Sequence, residues 1–275
     1  MRIRISHETV YRYETPASSA IEILRLTPRN HEGQYIVRWR IELNHDCKLD
    51  SFEDAFGNLA HTFTVDGPVN ELSIRVEGEV ETQDMFGFVK GTTERFPPSL
   101  YLRETPLTKP DAAIVEFAEA TARTAGHDPL KTMHELTRRI YYDFIFDPNP
   151  NTPAMTASEC LAKKRGVCQD YAQVFIACAR RLKIPARYVS GYFLRADGKV
   201  EQEAGHAWAE VYLAKQGWIA FDPANGISAT DAHVRVAAAL DSLGAAPVRG
   251  LRFGGTGEAL SVAVHVDQSQ RQAQN

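Results

Sequence analysis

The chain has 275 residues, 44% of them hydrophobic and 24% charged, which is ordinary globular material long enough for two cores and excludes a disordered or fibrous polymer. Lys plus Arg number 31 against 35 Asp plus Glu, a net charge of -4, so no broad positive field draws the molecule to phosphate backbones or anionic lipid, and neither nucleic acid nor membrane is an expected partner. No apolar run approaches the roughly 20 residues that span a bilayer, and Met1 to His7 lacks the apolar core of a secretory signal, so a soluble, cytoplasmic protein is expected.

From Arg2 to about Gln83 the pattern has period two. Arginines between Arg2 and Arg12 alternate with apolar residues as the wet face of strands do, and Tyr35, Val37, Trp39, Ile41 and Leu43 alternate with polar neighbours. Leu59, His61, Phe63 and Val65 share one parity, as do Leu72, Ile74, Val76 and Val80, with Phe56-Gly57-Asn58 and Asp66-Gly67-Pro68 as punctuating turns. This predicts an antiparallel β-sandwich of about six or seven strands over residues 1–92, a structural or docking domain without a cluster of reactive side chains. Pro97, Pro98, Pro106 and Pro110 break any period over 93–110, which is assigned as a linker.

Helical spacing then begins. Asp111 to Ala125 is Ala-rich and closed by Gly126, and Leu130, Met133, Leu136, Ile140, Tyr141 and Phe144 repeat at helical intervals after Asp128-Pro129. Phe144 to Pro153, rich in Pro and Asn, predicts a surface loop; Thr156 to Glu159 has the form of a capping box opening a short helix to about Lys164, with Gly166 as its stop. The next helix starts at or beside Cys168 and buries one stripe, Tyr171, Val174, Phe175, Cys178 and Leu182, before Ile184-Pro185 ends it. Strands return at 187–194, 206–213 and 218–222. For His206 to meet Asp222 the last two must form a hairpin with an odd loop, which three residues, Ala214 to Gln216, with Gly217 in the left-handed region, would supply. Farther on, 232–243 reads as a short helix, Pro247 to Gly250 as a turn, and Leu260, Val262, Val264 and Val266 as a last strand. The second domain is thus drawn over 111–267, with a frayed polar tail at 268–275.

The four cysteines, Cys47, Cys160, Cys168 and Cys178, show no Cys-x-x-Cys pair and no histidine at finger spacing, so they read as reduced thiols holding no metal. Cys168 differs from the others because it opens a helix, where free amide groups and the positive dipole end favour a thiolate. His206 alone would pass for a core histidine and Asp222 for a turn cap. Together, thiol, imidazole and carboxylate form a nucleophile, a base and an orienter. Tyr142 is a candidate second oxyanion donor, or else a core tyrosine. Trp208, on the hairpin face of His206 with Trp218, either walls the cleft or fills the core.

Gly166-Val167-Cys168-Gln169-Asp170-Tyr171-Ala172, His206-Ala207-Trp208-Ala209-Glu210-Val211-Tyr212 and Trp218 to Gly226 closely resemble the three motifs of the bacterial transglutaminase-like superfamily, and the N-terminal strands resemble the domain that precedes this core in one branch of it. The resemblance implies an α+β architecture: a papain-like core of helices packed on an antiparallel sheet, with Cys168, His206 and Asp222 as a catalytic triad. Bacterial members like this one are usually described as candidate cysteine proteases. The chain departs from its relatives at Ala239-Leu240-Asp241-Ser242, where they tend to have Gly-Arg-Asp-Tyr. The function expected is cleavage of an amide or peptide bond through a thioester, with transglutaminase or deamidase action on protein glutamine as the alternative and a catalytically silent binding module as the rival class. The partner expected is a peptide or protein amide substrate; no cofactor is called for, no calcium loop of the Asp-x-Asp-x-Asp-Gly kind is present, and the oligomeric state is left open.

Overall fold

The computed structural model describes residues 1–148 and 155–269. Much of the expected loop before Pro153 and of the expected tail therefore lies outside the described residues. The chain opens with β1 (Arg2–Thr27), β2 (Gln34–Leu43), β3 (Asp50–Glu53) and β4 (Leu59–Thr82). β1 and β4 run antiparallel along nearly their whole lengths, with register shifts between Arg12 and Ala17, Ala17 and Ser19, and Leu24 and Thr27. At this bend Gly67 passes so close to β1 that a Cβ would sit 2.3 Å from the Ala17 carbonyl oxygen, which no other residue could tolerate. Asp66-Gly67-Pro68 is thus a kink inside one long strand and not a turn between two. β2 flanks one half of the bent pair and β3 the other, and both halves feed one core in which Leu24, Leu26, Phe63 and Val65 meet Leu72, Ile74 and Val76. On β2 a register shift between Ile36 and Arg38 moves the inward parity by one residue. Tyr35 and Val37 are consequently exposed, while Trp39, Ile41 and Leu43 pack on the core.

After β5 (Phe88–Val89) the expected linker lies packed on the rest of the chain, because the buried Arg180 guanidinium donates to the Tyr101 carbonyl at 2.9 Å and to Thr108 Oγ1 at 2.8 Å. α1 (Ala112–Thr124) and α2 (Pro129–Asp143) begin where their caps predict, with Asp111 and Asp128 accepting the Ile114 and Lys131 amides. β6 (Ile145–Phe146) pairs in parallel with β7 (Arg165–Gly166), and between them α3 (Ala157–Lys163) carries the capping box of Thr156 and Glu159. α3 stops at Lys164, which takes the left-handed conformation with φ 47; Gly166 belongs instead to β7. α4 (Cys168–Arg181) is buried all round from Asp170 to Arg180, not along one stripe, since α1, α2, α3 and a sheet all pack against it. Ala172, Ala177 and Ala179 let neighbours approach the faces that a hydrophobic period leaves unmarked.

That sheet comprises β8 (Ala186–Phe193), β10 (His206–Leu213), β11 (Gly217–Asp222), β12 (Ile227–Ser228) and β13 (His233–Ala239) in the order β12-β11-β10-β8-β13, with β5 also on β11; β9 (Glu201–Gln202) leaves it to join the first sheet. β13 stands where a helix was expected over 232–243. Its alanines, Ala237 to Ala239, are each at most 2% exposed, so pairing with β8 and burial outweigh their helical preference.

The last two strands return to the start of the chain. β14 (Val248–Phe253) pairs with Ser19 to Leu24 and β15 (Ala259–Gln268) with Ile3 to Arg12. Pro247 to Gly250 therefore leads into a strand and makes no turn, and 248–267, drawn into the second domain from sequence, completes the first sheet. Ile3, Ile5, Val80, Val264 and Val266 continue into the core around α4. Across this junction His7 Nδ1 lies 2.9 Å from the Tyr192 hydroxyl, and the Trp39 ring, for which its cross-strand partner Gly78 leaves room, meets the Tyr192 ring at 6.2 Å between centroids.

Candidate active site

The β10–β11 hairpin has the predicted odd loop, Ala214 to Gln216, closed by the Leu213–Gly217 pair, with Gly217 at φ 81. Its register runs from there to Ala209 opposite Phe221. Continued by one residue, this places Asp222 opposite Trp208, so His206 lies diagonal to Asp222 instead of directly across. A two-residue offset keeps parity, and the side chains still share a face. His206 Nε2 donates to Asp222 Oδ2 at 2.7 Å.

Asp222 is fully buried and saturated with donors. Oδ2 also accepts from Asn225 Nδ2 at 2.7 Å and His233 Nε2 at 3.1 Å, while Oδ1 accepts the backbone amides of Ala224 at 3.0 Å and Asn225 at 3.2 Å. Burial alone would drive this carboxyl toward its neutral form, but His206 and the converging hydrogen bonds hold it far below the usual carboxylate range. The turn that folds Asn225 back closes on Gly226, at φ 69, against which the Tyr141 ring is pressed.

Cys168 occupies the first turn of α4. Its approach is pinned by Asp170, whose Oδ2 accepts the Val167 amide at 3.0 Å and whose Oδ1 accepts that of Met155 at 3.4 Å. The Cys168 amide itself has no partner among the described residues, as expected for a donor at a helix mouth. Cys168 faces the His206 ring closely enough for its charge to act on the imidazole. With Nε2 taken by Asp222, Nδ1 is the nitrogen left for the thiol. Burial pushes the ring's pKa down, yet the charges of Asp222 and Cys168 outweigh it and raise it to about 10. Cys168 is half-buried, whereas Cys160 and Cys178 are buried, and burial pushes the Cys160 thiol up to about 12 and that of Cys178 up as well.

This arrangement lies inside a recognised region. Residues 116–223 match the transglutaminase-like superfamily and residues 3–81 the bacterial transglutaminase-like N-terminal region. The chain belongs to the transglutaminase-like superfamily. Similar members include an uncharacterized protein of Mycobacterium leprae, 29% identical over 96% of this chain and 98% of that one, and one of Mycobacterium tuberculosis, 28% identical over 92% and 88%. Among solved structures, a "putative cysteine protease" from Cytophaga hutchinsonii superposes with a TM-score of 0.73 at 19% identity, covering 95% of this chain and 90% of that one, which speaks for a shared fold.

Not every residue singled out from sequence gathers at this transglutaminase-like site. Tyr142 is 71% exposed and packs on Tyr141 and Arg138, so it is no core tyrosine, and no hydrogen bond among the described residues ties it to Cys168 or His206. Trp208 is 1% exposed and backs the His206 ring at 6.0 Å. It lines a cavity of about 50 Å³ with His31, Glu210 and His233. Trp218 is buried too. Two residues that sequence reasoning missed converge on Asp222. Asn225 was legible only as part of an Asp-Pro-x-Asn-Gly turn, and nothing near His233 marks it. The ligand atoms of His206, Asp222 and His233 lie within 4.8 Å of one another, a spacing a cation could use. Here the three N–H donors on Asp222 Oδ2 would have to be displaced first, so the donor set suits a proton network.

Proposed function

We propose that this chain is a thiol-dependent acyl-transfer enzyme that hydrolyses an amide or peptide bond, with Cys168 as nucleophile, His206 as proton carrier and Asp222 as orienter. The observation that carries the reading is the single imidazole that donates to a buried carboxylate at 2.7 Å and stands close enough to the thiol at the mouth of α4 for that group to raise its pKa. Cys168 sulfur adds to the substrate carbonyl carbon while its proton resides on His206. The developing oxyanion meets the free Cys168 amide at the positive end of the helix. As the C–N bond breaks, His206 passes its proton to the leaving amine, and an acyl thioester remains. Water then gives a proton to His206 and its oxygen to the acyl carbon; the C–S bond breaks, and the acid and the thiol are released. Asp222 holds the imidazole in one orientation and balances its charge throughout.

An amine in place of that water would give cross-linking. Incubating the purified protein with a glutamine peptide and a labelled amine separates the two fates: ammonia or peptide release that exceeds amine incorporation, and is lost in Cys168→Ala, is the expected result. Incorporation outpacing release would replace hydrolysis by transamidation. A Cys168 that iodoacetamide labels no faster than Cys47 would favour a silent binding module.

A further inference from the structure

We propose that His233 is a positioning residue of this site: as a neutral imidazole with its proton on Nε2, it fixes the Asp222 carboxylate in the plane where Oδ2 meets the His206 ring. The inference rests on the Cys168–His206–Asp222 reading and adds a residue to it. The tautomer follows from the hydrogen bonds alone. His233 Nδ1 lies 3.1 Å from the Thr230 backbone N–H, which can only donate, so Nδ1 must be the acceptor and the proton sits on Nε2. Nε2 in turn lies 3.1 Å from Asp222 Oδ2, which can only accept. The side chain is 3% exposed, held with Phe193 at 4.7 Å and the edge of Trp208 at 5.2 Å.

Neutrality matters because a second charged ring here would compete with His206 for the same oxygen. The ionisable groups that act on His233 are Asp222 and His206, whose ring centroid is 6.0 Å away, while His31, Glu210 and Arg235 line the cavity on which it opens. Burial lowers the His233 pKa, the nearby His206 charge adds to that, and contact with Asp222 opposes it; lowering wins. One carboxylate thus serves two imidazoles in different states, charged His206 and neutral His233. The fold makes room for this at Gly191, the β8 residue opposite His206. A Cβ there would lie 2.1 Å from the Val234 carbonyl and 2.7 Å from the Trp208 ring, so glycine allows β13 to bring His233 alongside.

The test uses the full-length protein and the rate of iodoacetamide labelling at Cys168, with Cys47 as internal reference. His233→Phe should slow Cys168 labelling about ten- to a hundredfold, the worth of a hydrogen bond to a charged group, and leave Cys47 unchanged. His233→Gln, whose amide reaches the same oxygen, should restore most of the rate. In an Asp222→Asn background His233→Phe should add little, because its effect passes through the carboxylate. Equal rates in wild type and His233→Phe, or full additivity with Asp222→Asn, would overturn the proposal. Should the Phe variant not fold, nitrogen NMR of the wild-type rings decides: a proton on Nε2 only, from pH 6 to 8, supports the assignment, and a proton on Nδ1 overturns it. A wild-type Cys168 no more reactive than Cys47 would instead defeat the underlying triad reading, which the ring tautomer does not depend on.

Discussion

At His206 two opposed effects meet, since burial disfavours a charged ring while Asp222 and Cys168 favour it, and the outcome is a proton held to about 10. Removing the thiol should lower that value, so in Cys168→Ala the ring should titrate at lower pH than in wild type, as followed by ring-proton NMR. A folded pKa above the unfolded value of about 6.5 means that the pair's contribution to stability is fully present below about pH 6.5 and is lost as pH rises toward 10. The melting temperature of wild type should therefore exceed that of His206→Phe by a margin that narrows from pH 6 to pH 10. A margin that widens would contradict the assigned charge state. Asp222→Asn keeps the shape and removes the charge, and on the precedent of triads generally should lower turnover by roughly a thousandfold or more, measured on whichever amide substrate the protein cleaves. Cys168, His206 and Asp222 were legible because reactive side chains in order at a helix start and along a hairpin restrict the chemistry. His233 and Asn225 were not, because each becomes meaningful only through the oxygen they share with His206.

Among the elements, the hairpin shows how far spacing reaches. Parity and loop length were legible in Ala214 to Gly217, and parity put His206 and Asp222 on one face; the closing pair Leu213–Gly217 then sets the register that makes them diagonal. On the same face, Glu210 is fully buried between Arg187 Nε at 2.6 Å and Arg235 Nε at 2.8 Å, and Arg187 also binds Glu94 of the segment before α1 and lies 3.9 Å over Trp218. Burial works against the Glu210 charge, but the two arginines outweigh it and hold its pKa at about 2. Arg187→Met leaves that charge half-compensated and should cost about 3–5 kcal/mol in urea unfolding. Because the Glu210 pKa is depressed, the gap between wild type and variant should be complete above the unfolded value of about 4.3 and shrink as pH falls toward 2. An unchanged midpoint at neutral pH would show the network to be dispensable.

For the whole molecule, the chain closes on itself: β15 lies beside β1, and the sheet so completed packs through Ile3, Ile5, Val264 and Val266 on the core that holds α4. The two sequence-defined domains are not independent. Ending the chain before Val248 would strip β14 and β15 from β1 and expose that apolar face. Such a truncation should melt without cooperativity or aggregate, as judged by circular dichroism and size-exclusion chromatography. A sharp thermal transition in the truncated protein would show that the first sheet and the α4 core fold separately.

Local chemistry in the sequence was enough to set the helix starts at Asp111, Asp128 and Thr156, the strand character of the first 80 or so residues, and the order of thiol, imidazole and carboxylate, because caps, periods and reactive groups act over a few residues. Tertiary structure alone decided that 233–239 is a strand despite its alanines, that β14 and β15 belong beside β1, that Trp208 is a buried support, and that His233 reaches Asp222. Those outcomes depend on contacts between segments tens to hundreds of residues apart, whose energies no local pattern encodes.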